Sequence, residues 1–305
     1  MKDATDTPKA AKRSFEGRLT HLRAALAPTR PLRVADIGAN PINVPDYTAL
    51  LNMGGCEVWG FEPDQTAFDA LQAAALPGTH FVQRAVGKAG KGTFYPHKLS
   101  GLGSLFEVDK ASVDFLGRPG WHANQQDGIE IDLVALDAIS DNDLPNPDLL
   151  KMDVQGAELS VLQNGRVKLI DAICIIPEVR FFRIYEGEPM WSDVDMELRM
   201  QGFVLHKLMP GNAFPIGNSL RAKMSSKHFR TQMVDGDAVY IRDPATIADW
   251  TDEQIKQLAI AAAGVFNSLD LAIYCMDQLV TRKVVPPDSP HNFFKTLPKW
   301  IRKQG

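Results

Sequence analysis

The chain has 305 residues, 45% hydrophobic and 23% charged, enough to bury a full core in one large domain with appendages or in two domains. A net charge of -4 gives no broad nucleic-acid signature, so no nucleic-acid partner is expected. No stretch reaches the ~20 apolar residues of a membrane span, and the charged start, Met1 to Arg13, has no apolar secretory core and reads as a frayed arm. Cys56, Cys174 and Cys275 form no CxxC pair and suit reduced, buried thiols of a cytoplasmic protein.

In chain order, Phe15, Leu19, Leu22 and Leu26 recur at helical spacing, and Pro28 stops that helix, which is expected to pack on a sheet as a lid. Leu32 to Asp36 is a buried strand. A helix from about Pro45 to Met53 follows, with Gly54-Gly55 beyond its end. Cys56 to Phe61 is a second strand, and Asp64 is placed to cap a helix that buries Phe68 and Leu71. Phe81 to Val86 is a third strand. Gly92 to Tyr95 is a short strand, and Ser100 to Leu105 is a glycine-rich loop, either a cover for a substrate or a plain surface loop. Ile129 to Val134 alternates like an edge strand. Pro147 to Asp153 is strand four, and a helix starts near Ala157 with Leu159 and Leu162 inward. Ala172 to Pro177 is strand five; Val194 to Met200 is helical; Phe203 to Leu208 and Ala238 to Arg242 are the last strands. After Pro244, two helices are expected, Asp252 to Ala263 and Leu269 to Val280. Their alanines suit docking on the domain or pairing of two copies as a homodimer. The basic, aromatic tail, Phe293 to Lys303, suits a membrane surface, an anionic glycan, or folding back on its own chain.

This alternation describes an α/β protein: an open, mostly parallel sheet with helices on both faces, plus an N-terminal helix and a C-terminal helical appendage. The expected divisions are 1–30 (arm and helix), 31–243 (the α/β domain) and 244–305 (helical extension and tail). Right-handed crossovers put Asp36, Glu62, Asp153 and Glu178 on one rim, where ligands of such sheets bind. Glu62, about 20 residues past the Gly38 turn, is placed to accept hydrogen bonds from two ribose hydroxyls. Gly38 lets backbone approach a ligand. Only one glycine precedes Ala39, Asn40, Pro41 and Ile42, so the three-glycine cradle for a pyrophosphate is missing, and Asp36 would repel phosphate. A nicotinamide oxidoreductase is thereby disfavoured. S-adenosylmethionine, with an ammonium, a sulfonium and a ribose but no phosphate, fits. A non-catalytic scaffold on the same fold remains the other alternative.

Val34-Ala35-Asp36-Ile37-Gly38-Ala39-Asn40, Gly60-Phe61-Glu62-Pro63, Ala85-Val86-Gly87, Lys151-Met152-Asp153-Val154-Gln155-Gly156-Ala157-Glu158, Glu178-Val179-Arg180-Phe181 and Tyr185-Glu186-Gly187 resemble, in order and spacing, the FkbM-type methyltransferases. The resemblance covers about Leu32 to Leu208. It implies a class I fold and O-methylation with S-adenosylmethionine, often of a sugar or natural-product hydroxyl. It places Asp36, Gly38, Ala39 and Asn40 at the methionine end of the cofactor, Glu62 and Pro63 at the ribose, and Arg84, Ala85 and Val86 near the adenine. Two departures stand out. The family usually has a further glycine where this chain has Pro41, Ile42 and Asn43, and commonly a glutamate where it has Gln155.

A hydroxyl acceptor on a small molecule or glycan benefits from a base. Asp153, which also stands beside the cofactor, is the first candidate, its alternative being a structural acid; Glu178 is the second. Ser104, His122, Gln155 and Tyr185 are candidate acceptor-site residues, although His122 better suits an ordinary surface position. Asp153 and Glu178 are compatible with a shared divalent metal, but their spacing does not require one, and no metal is expected.

Overall fold

The computed structural model describes residues 8–41, 44–209, 211–225 and 227–302. The first half of the chain forms α1 (Pro8–Leu26), β1 (Leu32–Ile37), α2 (Thr48–Asn52), β2 (Cys56–Phe61), α3 (Gln65–Ala73), β3 (Thr79–Val82), β4 (Ala85–Val86), β5 (Gly90–Phe94), α4 (Lys110–Phe115), α5 (Pro119–Ala123), β6 (Ile129–Val134) and β7 (Leu149–Met152). Then come α6 (Glu158–Gln163), β8 (Cys174–Arg180), α7 (Trp191–Met200), β9 (Phe203–Leu208), β10 (Asn212–Phe214), β11 (Gln232–Arg242), α8 (Asp252–Gly264), α9 (Leu269–Thr281) and α10 (Ser289–Lys295).

The main sheet runs β10-β11-β8-β7-β1-β2-β3, with β9 on the same edge of β11 as β10. The β3-β2-β1-β7-β8 block is parallel and β11 is antiparallel to β8. This is the expected open, mostly parallel α/β arrangement, with helices on both faces. Side chains alternate across each strand. Leu32 and Val34 of β1, Leu149 of β7, and Cys174 and Ile176 of β8 enter one core layer with α1, α8 and α9. Ala35, Ile37, Leu150, Met152 and Ile175 enter the other, with α6 and α7. With both faces dry, the central strands are continuously apolar, and polar groups are pushed to the strand ends. The parallel registers Asp36↔Gly60, Ile37↔Met152 and Met152↔Pro177 bring the ends of β1, β2, β7 and β8 to one rim.

Several expectations change. The stretch from Phe81 to Val86 is two strands, not one: the chain breaks at Gln83-Arg84, and β4 leaves the main sheet to pair with β6. Ile129 to Val134 is the centre of a small β4-β6-β5 sheet rather than an edge strand. Its alternation reports one solvated face, which central and edge strands share. Asp64 does cap α3, accepting from the Ala67 amide at 2.8 Å, but Phe68 and Leu71 are only half-buried. β10 and α10 are too short to show a periodicity. The helix around Leu19, Leu22 and Leu26 begins at Pro8, so helix replaces frayed arm from there on; the residues before it lie outside those described. It covers no rim. It packs on α8 and α10 on the flank of the sheet. The helices after Pro244 dock on their own domain: α8 is buried from Leu258 through Gly264, so its alanines are packed inside the chain. All three cysteines are free and buried. Among the described residues no helix is long and apolar enough to cross a membrane.

Because Leu258 lies in the layer that closes the sheet, Leu258→Ala is expected to destabilise the whole protein by about 2–5 kcal/mol. Urea unfolding followed by far-UV circular dichroism measures this. An unchanged midpoint would mean that α8 is not part of the cooperative core.

Candidate active site

The rim opens into a cavity of about 630 Å³. At its inner end, β1 stops at a turn held by the Gly38 and Ala39 amides, which both donate to the Phe61 carbonyl, at 2.9 and 3.1 Å. Gly38 has φ +83°, and a Cβ there would stand 2.1 Å from the Asp153 carbonyl oxygen. The glycine is therefore required by the close approach of the β7 end, as much as by any ligand. Gly38 and Asn40 line the cavity, but Asp36 and Ala39 do not. Asp36 is buried beneath the turn and accepts a hydrogen bond from the Tyr47 hydroxyl; burial pushes its carboxyl above the usual range. Its reach toward a cofactor's ammonium, expected from its place before the glycine, is not what the structure shows. Ile42 and Asn43, part of the altered turn, lie outside the described residues.

Glu62 ends β2 and lines the cavity with Pro63. It is 7% exposed, and one oxygen accepts from the Asp64 amide at 2.8 Å. Burial, only partly offset by that amide, pushes its carboxyl up to about 7. An acid so desolvated suits a site completed by neutral donors such as a pair of hydroxyls. Arg84, Ala85 and Val86 line the adjoining wall, where the chain passes from β3 to β4.

At the ends of β7 and β8, Asp153 and Glu178 meet at the amide of Gln155. Gln155 Nε2 donates to Asp153 Oδ1 at 2.6 Å and to Glu178 Oε2 at 3.0 Å. Its carbonyl oxygen lies 3.4 Å from Arg180 Nη2 and 3.1 Å from the Tyr185 hydroxyl. All the hydrogen-bonding capacity of the amide is used, which fixes its orientation. Gln155 reaches this position through a left-handed backbone, φ +51°, followed by Gly156 at +102°. Strain of this kind persists where the surroundings over-determine it. Here Ser104 Oγ donates to the Gln155 backbone carbonyl at 2.6 Å, and both oxygens of Glu158 accept backbone amides, Val154 at 2.9 Å and Gly156 at 3.0 Å.

Glu178 is held well above the usual carboxylate range, first by burial and then by the charge of Asp153, against the pull of Arg180. Arg180 donates to Glu178 at 3.0 Å, Glu188 at 3.2 Å and Asp235 at 3.1 Å. These carboxylates outweigh its own desolvation and hold it charged. The carboxylate oxygens of Asp153, Glu158 and Glu178 lie within 4.8 Å of one another, the one such metal-compatible group among the described residues. Glu158 is committed to backbone amides, however, and the Gln155 nitrogen bridges the other two acids as a cation would.

Of the residues expected at the acceptor site, Gln155 and Ser104 line the cavity. Ser104 is 1% exposed and is tied to Gln155, so it holds the loop rather than an acceptor. Tyr185 is fully buried behind Gln155 and supports it from outside the cavity. His122 is exposed on α5 and takes no part; its neighbour Trp121 faces the cavity instead. A histidine on a one-turn helix carries no signal of which way it faces. The histidine of the wall is His97, bound through Nε2 to the Trp121 carbonyl at 2.7 Å. Leu99 and the segment from Gly101 to Leu105 line the cavity, which favours the covering role for that loop. Sequence reasoning also missed Arg180 and Asp235. The first was available, because residues two apart on a strand share a face and Arg180 follows Glu178 at that spacing.

Among solved structures, the chain is similar to magnesium protoporphyrin IX methyltransferase from Synechocystis PCC 6803 with bound S-adenosylmethionine, at 12% identity and TM-score 0.35, over 76% of this chain and 80% of that one. It is also similar to precorrin-6y C5,15-methyltransferase from Geobacter metallireducens GS-15, at 11% identity and TM-score 0.36, over 80% of this chain and 92% of that one. No curated protein matches the chain. The model of the methyltransferase FkbM domain matches residues 36–205, more than half of the chain, and the chain belongs to that family.

Proposed function

We propose that this S-adenosylmethionine-dependent methyltransferase acts on oxygen, methylating a hydroxyl of a sugar, glycan or other natural product. The observation that carries this reading is that Glu62 and the Asp153–Glu178 pair line one cavity. A hydrogen-bond acceptor for a ribose and a proton acceptor for an alcohol thus share one space. S-adenosylmethionine, when bound, supplies a methyl carbon activated by the sulfonium. Gly38, Asn40, Glu62 and Pro63 are the residues that would hold it, with Arg84, Ala85 and Val86 toward its base.

The protein's own chemistry is orientation and proton removal. The Asp153–Glu178 pair would take the proton of a hydroxyl held against the cavity floor, while that oxygen would take the methyl group from the bound cofactor, whose leaving form is the neutral thioether S-adenosylhomocysteine. The two acids stand side by side on one amide nitrogen of Gln155, so the base is the pair rather than either member alone. Burial, and then the charge of Asp153, raise the proton affinity of Glu178, which favours proton uptake there. Gln155 keeps the two acids together, and its amide donors stabilise the ionised pair. Orientation accounts for the rest of the rate.

Calorimetric titration with S-adenosylhomocysteine is expected to give micromolar binding, and NAD none; silence from the first would remove the cofactor assignment. Glu62→Ala should weaken that binding by about 10- to 100-fold, the loss of charge-assisted hydrogen bonds. Because unliganded Glu62 holds its proton up to about 7 and the ionised form accepts the hydroxyls, affinity should rise as the pH passes upward through about 7. A flat profile there, with wild-type affinity in Glu62→Ala, would show that Glu62 does not face the ribose. Once an acceptor turns over, Glu178→Gln should lower turnover by ~10²–10⁴-fold while S-adenosylhomocysteine affinity is retained. Undiminished turnover would take Glu178 out of the base.

A further inference from the structure

Six of the chain's 33 Lys and Arg, and one of its 37 Asp and Glu, fall between Arg282 and Lys303. This basic end belongs to a chain whose net charge is -4. Its apolar residues divide into two sets. Phe293 and Leu297, four residues apart, are buried in the core layer of α1, α8 and α9 and anchor the segment. Phe294 beside them is 38% exposed, and the following helical turn carries Trp300, 73% exposed, and Ile301, 38% exposed. Lys283 and Lys295 are exposed and Arg302 half-exposed. Arg282, by contrast, is committed to the Trp250 carbonyl at 2.6 Å and Asp252 at 3.0 Å.

We propose that the segment from Phe294 to Arg302 docks the protein on an anionic lipid bilayer, with Trp300 as the interfacial anchor. Folding back, the expected fate of such a tail, accounts for Phe293 and Leu297 but leaves the bulkiest aromatic of the segment in solvent. An indole is suited to the depth where headgroups meet acyl chains, having an apolar body and a polar N–H. Each Lys or Arg near a negatively charged leaflet adds attraction that fades within a Debye length. Charge complementarity between this basic end and an anionic surface decides the orientation, because most of the chain is acidic. The cations flank the exposed apolar residues, the arrangement of interfacial helices rather than of a spanning one. This inference is independent of the acceptor and of the methyl-transfer chemistry.

Co-sedimentation of the full chain with phosphatidylcholine vesicles, with and without phosphatidylglycerol, tests it. Pelleting is expected only with phosphatidylglycerol, and it should weaken as salt rises. Lys295→Glu with Arg302→Glu should weaken binding by about 25-fold or more, at roughly fivefold per cation. Brominated lipid should quench tryptophan fluorescence in the wild type and much less in Trp300→Phe. All these positions are exposed or half-exposed, so the melting temperature checks that the variants remain folded. No pelleting at low salt, equal pelleting on both vesicles, or unchanged binding in the variants would overturn the proposal. So would binding to heparin without binding to vesicles, which would assign the segment to an anionic glycan.

Discussion

Arg180 is the cation around which the acidic rim of the site is built. Its guanidinium stands among Glu178, Glu188 and Asp235 and reaches the side-chain oxygen Oε1 of Gln155. Arg180 and Glu188 are almost wholly buried, so little of their charge is dispersed by water. Removing one partner from such a group leaves an uncompensated buried charge, a loss of about 3–5 kcal/mol. Glu188 extends the network, accepting the Ile184 and Tyr185 amides and so fixing the turn that puts Tyr185 behind Gln155. One cation thus sets the position of Glu178, of the Gln155 amide and, through Tyr185, of the wall behind both.

The sheet supplies the platform for this cluster. Its central strands are dry on both faces, and the C-terminal helices provide one of those faces. α8 buries Ile255, Gln257 and every residue from Leu258 to Gly264, which is why its composition has no clean polar stripe. The single polar side chain in that set, Gln257, donates to the Arg30 carbonyl at 3.0 Å and to Glu253 at 2.7 Å. Arg30 in turn pairs with Asp148 at the start of β7. Polar contacts at the starts of the strands therefore tie the connection after the N-terminal helix, the sheet and the C-terminal helices together, opposite the rim that bears the site.

How far the sequence revealed this depends on the kind of information each feature carries. The βαβ unit from Leu32 to Phe61 was legible because buried parallel strands are unbroken apolar runs ending in an acid. The acids Glu62, Asp153 and Glu178 were legible as strand ends, and strand ends of a parallel sheet converge. Asp36 shares that pattern, yet it turns inward to Tyr47, because its side chain lies beneath the turn and not beyond it. The break between Val82 and Ala85 was illegible, since Gln83-Arg84 contains no Gly or Pro to mark a change of sheet. Gln155 was visible as an odd residue, but its four-way bonding depends on Arg180 and Tyr185, which the fold and not the local sequence brings to it.

The contact between Gly38 and the Asp153 carbonyl has a consequence for how this protein can diverge. The turn at Gly38 and the end of β7 at Asp153 approach each other backbone to backbone, so neither can shift without carrying the other. Selection for a new acceptor therefore has little freedom at the cavity floor. The freedom lies with walls that are not welded to that contact: Phe94 and His97, the loop from Leu99 to Leu105, Trp121, and Asn212 with Phe214 on the short edge strand. Inheritance of the chemistry and evolvability of the specificity are thus allotted to different segments of one cavity.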